Sequence, residues 1–224
     1  MQIKYNWTNY NLKRNKEAIK IHRFNLTNKF NFIEKGVYKN VRDIYALSLL
    51  IAKQKNKRIN ILDFGGNLMS HVNLRNKINS KKINFYIYSP HSTNYDKKTI
   101  GLKIVNIKNL NKIIPKKFDL IYFGSVLQYI ENLKSISTSL INNSKYILIT
   151  HTPVTLRAKS YTENQNNANK LRQKIHTLNQ IIKGIFSNFN LIFKSRNEYK
   201  YTGIKIKKKN TFSLNLLLKN KIIK

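Results

Sequence analysis

The stretch Arg58-Ile-Asn-Ile-Leu-Asp-Phe-Gly-Gly-Asn-Leu-Met-Ser-His71 constrains the fold of this chain most. Its first half, Ile59–Phe64, is a short apolar run that suits a buried strand, and Gly65-Gly66 breaks it ahead of a more polar, helix-compatible segment. The expected order is strand, tight turn, helix. An acid and glycines at the end of such a strand can receive a nucleotide-like ligand at the carboxyl edge of a parallel sheet. The glycines let the ligand approach the backbone, and the helix N-terminus offers free N–H groups. A plain tight turn would use the same two glycines, so the order of elements downstream carries the weight.

That order alternates. Runs rich in β-branched and aromatic residues place strands at 83–88, 102–106, 118–124 and 146–150, and two closing strands at 191–194 and 212–218. Helical spacing of apolar residues appears at 32–53, 68–78 and 126–141, with a single turn at 110–114 stopped by Pro115. The longest late helix is expected over 160–186. There Ser160 and Glu163 stand at capping-box spacing, and Leu171, Ile175, Leu178, Ile182 and Ile185 follow at steps of three and four. Strands alternating with helices imply a mostly parallel sheet covered on both faces, and the closing pair supplies an antiparallel edge. Residues 1–57 read as an N-terminal arm and helix packed on a domain spanning 58–224.

Composition limits the rest. A chain of 224 residues with 41% hydrophobic content suits one domain with a good core and a modest extension. With no cysteine, thiolate metal sites, disulfides and a cysteine nucleophile are excluded, and a cytoplasmic location is the expectation. The longest apolar neighbourhood, 44–52, is about half a membrane span, and the first residues, MQIKYNWTNYN, have no apolar signal core. No transmembrane segment is expected. The 43 Lys and Arg against 9 Asp and Glu, a formal charge of +34, would attract nucleic acid or another polyanion. Lysine, asparagine and isoleucine crowd the whole chain, as an AT-rich genome would produce. The densest basic clusters are 205–209 and 219–224.

Two stretches resemble the class I methyltransferases that use S-adenosylmethionine. Ile61-Leu-Asp-Phe-Gly-Gly66 resembles the first motif of that family, and Phe118-Asp-Leu-Ile-Tyr-Phe-Gly-Ser-Val-Leu-Gln-Tyr-Ile-Glu131 resembles its strand-four signature. With Tyr146-Ile-Leu-Ile-Thr-His-Thr-Pro153, they look most like a group of bacterial methyltransferases associated with surface polysaccharide biosynthesis. The resemblance implies a Rossmann-like, doubly wound, mostly parallel seven-stranded sheet with S-adenosylmethionine as cofactor. It implies that Asp63, Gly65 and Gly66 lie against the methionine and ribose of the cofactor, and Gly124, Ser125 and Gln128 near the transferring methyl group. Two positions depart from the family pattern. Met69 stands where a further glycine is usual, and Tyr88-Ser89-Pro90 replaces the acid that closes strand two and holds both ribose hydroxyls. Tyr88 is therefore the residue left to contact the cofactor there.

Methyl transfer needs alignment of a nucleophile with an activated methyl group, and a base only where the acceptor is a poorly acidic hydroxyl. His151, at the end of the fifth strand, is the candidate base, and His71 is second. No cluster of His, Asp and Glu stands at metal-ligand spacing. The leading expectation is O-methylation of a glycan or other small polar acceptor. The alternatives are a domain of this fold that has lost its cofactor and acts as a scaffold, and a nucleic-acid binder or nucleic-acid methyltransferase favoured by charge alone.

Overall fold

The computed structural model describes residues 58–66, 83–88, 104–107, 117–130, 133, 136, 138–164, 172–197 and 210–223. The N-terminal arm and helix, the helices expected at 68–78 and 110–114, Met69, His71 and the 205–209 cluster lie outside them. The chain divides inside one strand, between Tyr122 and Phe123, into two compact units.

The first unit holds β1 (Ile59–Phe64), β2 (Ile83–Tyr88), β3 (Ile104–Ile107) and most of β4 (Phe118–Gly124). Their order is β3-β2-β1-β4, and every pairing is parallel. A parallel strand covered on both faces must be apolar almost throughout. Ile61, Leu62, Ile87, Leu120 and Ile121 accordingly have no exposed surface. Polar residues at the strand starts bond one another: the Asn60 N–H donates to Asp119 Oδ2 at 2.8 Å, and Asn84 Nδ2 donates to Asn60 Oδ1 at 2.9 Å. Those side chains mark the amino edge and leave the carboxyl edge for β1's glycines.

The second unit is built on β5 (Ser144–Thr155), twelve residues against the five expected. One side of it pairs parallel with β7 (Arg172–Thr177), the other antiparallel with β9 (Thr211–Asn220). Beyond these lie β6 (Tyr161–Asn164) on β7 and β8 (Phe189–Asn197) on β9, both antiparallel. A short helix, α1 (Thr138–Asn142), leads into β5, and Asn220 secures the junction from β9. Its Nδ2 donates to the carbonyls of Asn142 and Ser144 at 3.0 Å each. The fold is the Rossmann-like α/β class, parallel in its first half with an antiparallel closing edge.

Two helices expected from spacing are replaced. Over 160–186 the chain instead pairs Tyr161 with Ile175 and Glu163 with Gln173 in an antiparallel ladder, and only then turns helical, with a π-helical stretch at Gln180–Ile185. Ser160 and Glu163 form no capping box; Thr177 and Gln180 do. The Thr177 N–H donates to Gln180 Oε1 at 3.0 Å, and the Gln180 N–H donates to Thr177 Oγ1 at 3.1 Å. Over 126–141 the described residues hold a 3₁₀ turn at Leu127–Tyr129 and then α1. The 3₁₀ turn ends at Ile130, whose backbone is extended, and the ring Nε2 of His176 contacts the carbonyls of Leu127 (3.2 Å) and Ile130 (3.1 Å).

His176 is 2% exposed, and burial followed by the Lys174 charge pushes its pKa below the ordinary imidazole value, against the two carbonyl contacts that raise it. Carbonyls only accept, so Nε2 carries a proton, and the lowered pKa leaves the ring neutral near pH 7. Because the folded pKa lies below the unfolded one, this group's stabilisation is complete above about pH 6.5 and is lost as pH falls further, at no more than about 1.4 kcal/mol per pH unit. Urea unfolding from pH 7.5 to 5 is expected to show that decline, and His176→Gln, an amide that can donate to the same carbonyls, is expected to flatten it.

Candidate functional site

In the first unit, the site is assembled where β1 and β2 end. Phe64 stands in register with Tyr88, and the Gly65 N–H donates to the Tyr88 carbonyl at 2.7 Å, which fastens the two strand ends together. That bond needs Gly65 at φ 77°, in the left-handed region where glycine carries no steric penalty. Gly66 is needed for a different reason. The Asp63 carboxylate, 1% exposed, lies over it so closely that a Cβ at position 66 would overlap Oδ1, Oδ2 and Cγ of that carboxylate. The acid and the second glycine are therefore one structural unit. The rings of Phe64 and Tyr88 lie 4.8 Å apart at 44°, and burial raises the Tyr88 phenol pKa.

In the second unit, Gly124 ends β4 and Ser125 follows at φ 55°. The Ser125 N–H donates to the Thr150 carbonyl at 2.9 Å, and its Oγ donates to the His151 carbonyl at 3.5 Å. Gln128 is not solvent-exposed, as a residue in a simple turn would be, but 1% exposed. Its Nε2 donates to Ser125 O (2.9 Å) and Ser125 Oγ (3.1 Å), and its Oε1 has no partner among the described residues. A buried amide carbonyl without a donor costs roughly 1–3 kcal/mol.

His151 has φ 51° and lies in the irregularity of β5 between Ile149 and Thr152, where the pairing with β9 shifts. Left-handed backbone at a non-glycine residue costs on the order of 1–3 kcal/mol. Asn215 holds it: the His151 N–H donates to Asn215 Oδ1 at 3.0 Å, while Asn215 Nδ2 donates to Ser195 Oγ at 3.0 Å. Burial lowers the His151 pKa, so the imidazole is neutral near pH 7 and can take up a proton. Asn215 and Phe64 were not singled out in the sequence. Neither carries a local signal, because their roles come from strand register.

Among the described residues no group of His, Asp and Glu could hold a metal ion, and no helix is long and apolar enough to cross a membrane.

No family model matches the sequence, and no curated protein matches it. Solved structures do match in fold. The chain is similar to the N-terminal domain of EvdMO1 with SAH bound, at 8% identity and TM-score 0.56, covering 92% of this chain and 96% of that one. The same domain in the presence of SAH and D-fucose gives 8%, 0.55, 92% and 96%. Coclaurine N-methyltransferase bound to N-methylheliamine and SAH gives 11% identity and TM-score 0.53, over 91% of this chain and 78% of that one. At such identity the likeness establishes the fold, and it agrees with the Rossmann-like architecture that the motif resemblance implies.

Proposed function

We propose that this chain is a methyltransferase that uses S-adenosylmethionine to methylate a hydroxyl of a sugar or other small polar acceptor. The observation that carries the proposal is the end of β1, where a buried Asp63 carboxylate lies on Gly66 while Gly65 turns the backbone. Similarity to an N-methyltransferase bound to SAH and to the N-terminal domain of EvdMO1 with SAH bound supports the cofactor, and the structure of that domain in the presence of SAH and D-fucose supports the sugar. When bound, the cofactor supplies a methyl group already activated on a sulfonium. The chain's own part is then to place the acceptor and receive its proton. His151, neutral and held by Asn215, is the proposed base, and Gln128 Oε1 is the proposed acceptor of a substrate hydrogen bond.

The scaffold reading is favoured by one observation, the tyrosine at the end of β2 in place of an acid. Incubation with methyl-labelled S-adenosylmethionine and a panel of sugars, sugar nucleotides, amines and nucleic acids separates the readings. Label is expected in a sugar fraction, and His151→Ala is expected to reduce it about 10²–10⁴-fold. Label in the amine or nucleic-acid fraction instead would contradict the acceptor class. Transfer to none of them would favour the scaffold.

A further inference from the structure

The ends of β1 and β2 bear two aromatic rings and one carboxylate, and they do not share a face. Side chains alternate along a strand, so Asp63 and its register partner Ile87 lie on one side of the sheet, Phe64 and Tyr88 on the other. The carboxylate is also committed, packed onto Gly66 and shut away from solvent. What the β2 end presents is a half-buried tyrosine ring backed by the buried ring of Phe64, 4.8 Å away, with both backbones locked by the 2.7 Å bond from Gly65 N–H to Tyr88 O.

These two chemistries select different parts of a nucleoside. A vicinal diol is held by an acceptor that takes two hydroxyl protons at once, as an ionised carboxylate does. A rigid aromatic ring instead takes a flat π-surface and ignores the sugar hydroxyls. A phenol is neutral near pH 7, and burial moves the Tyr88 pKa further up, so it offers one neutral oxygen and not an anionic pair.

We infer that the Phe64–Tyr88 ring pair is an aromatic platform that holds the adenosine of the cofactor by stacking, so that this site does not read the ribose diol. The inference rests on the proposed use of S-adenosylmethionine and adds how its nucleoside is recognised. It also removes the ground for the scaffold reading, because a stacking platform makes the missing acid a change of recognition mode and not a loss of binding.

The test is calorimetric titration of the full chain with S-adenosylhomocysteine and its 2′-deoxy and 3′-deoxy analogues. Both analogues are expected to bind within about threefold of the parent, since no ion-assisted bond to the diol is lost. Tyr88→Phe is expected to bind the parent within about threefold, and Tyr88→Leu to lose roughly tenfold to a hundredfold with the removed stacking surface. A loss of about tenfold or more for either deoxy analogue on the unaltered chain would overturn the inference while leaving the cofactor assignment standing, and needs no variant to fold. Absence of parent binding by the folded chain would overturn the cofactor assignment and this inference with it.

Discussion

Gly66→Ala is expected to weaken S-adenosylhomocysteine binding by at least about tenfold and to destabilise the fold by about 1–3 kcal/mol, the usual cost of forcing a methyl group into filled space. The Cβ would occupy the position of the Asp63 carboxylate, so that buried charge must swing off the backbone it covers. Asp63 lies between Leu62 and Phe64 in a strand paired on both sides, so relief of the overlap must come from its side chain. The coupling is testable as a cycle. If the overlap is the cause, Asp63→Ala should recover most of the stability lost by Gly66→Ala, since a shortened side chain no longer contests the space. Binding should not recover, because the packing of the Asp63 carboxylate on Gly66 that shapes the turn is lost. Urea unfolding and titration of the two single variants and the double variant measure both quantities. Additive losses of stability would contradict the pairing.

Phe123→Ala is expected to cost about 3–5 kcal/mol, a large share of the 5–15 kcal/mol by which a domain is usually stable. Phe123 is fully buried where β4 enters the second unit, its ring 6.2 Å from Phe186, which meets Phe189 edge-on at 6.1 Å. Truncation would leave a cavity against the Phe186 ring. Leu191→Ala on β8 supplies the contrast. That side chain is 46% exposed and should cost about 0.5 kcal/mol or less. Chemical denaturation of both variants gives the comparison.

Strands β1, β2 and β4 were legible in the sequence to the residue: β1 and β4 because a strand buried on both faces admits little besides apolar residues and its ends fall where that run stops, β2 because its β-branched and aromatic residues suit a strand whose burial alternates. Asp63, Gly65 and Gly66 were legible for a related reason: each position requires a residue type, for conformation at Gly65 and for space at Gly66. The segment 160–186 was not legible. Ile175, Leu178 and Ile182 stand at helical steps, yet Tyr161–Asn164 pairs with Arg172–Thr177, and that pairing leaves no mark on local periodicity. In the described part of 126–141 the helix stops at Ile130, where the backbone turns extended and the His176 ring, nearly fifty residues away in sequence, meets the carbonyls of Leu127 and Ile130. Asn215 likewise owes its role to lying across from the β5 irregularity at His151. The residues legible in advance satisfy local constraints; those that were not are defined by non-local pairing.

The central claim is that the end of β1 binds the cofactor. Titration of the folded, unaltered chain with S-adenosylhomocysteine by calorimetry tests it most directly, with Asp63→Ala as the control. The account predicts saturable binding at about micromolar Kd in the unaltered chain and its loss in the variant. No heat of binding at about millimolar ligand, from protein shown to be folded by its cooperative unfolding, would contradict it.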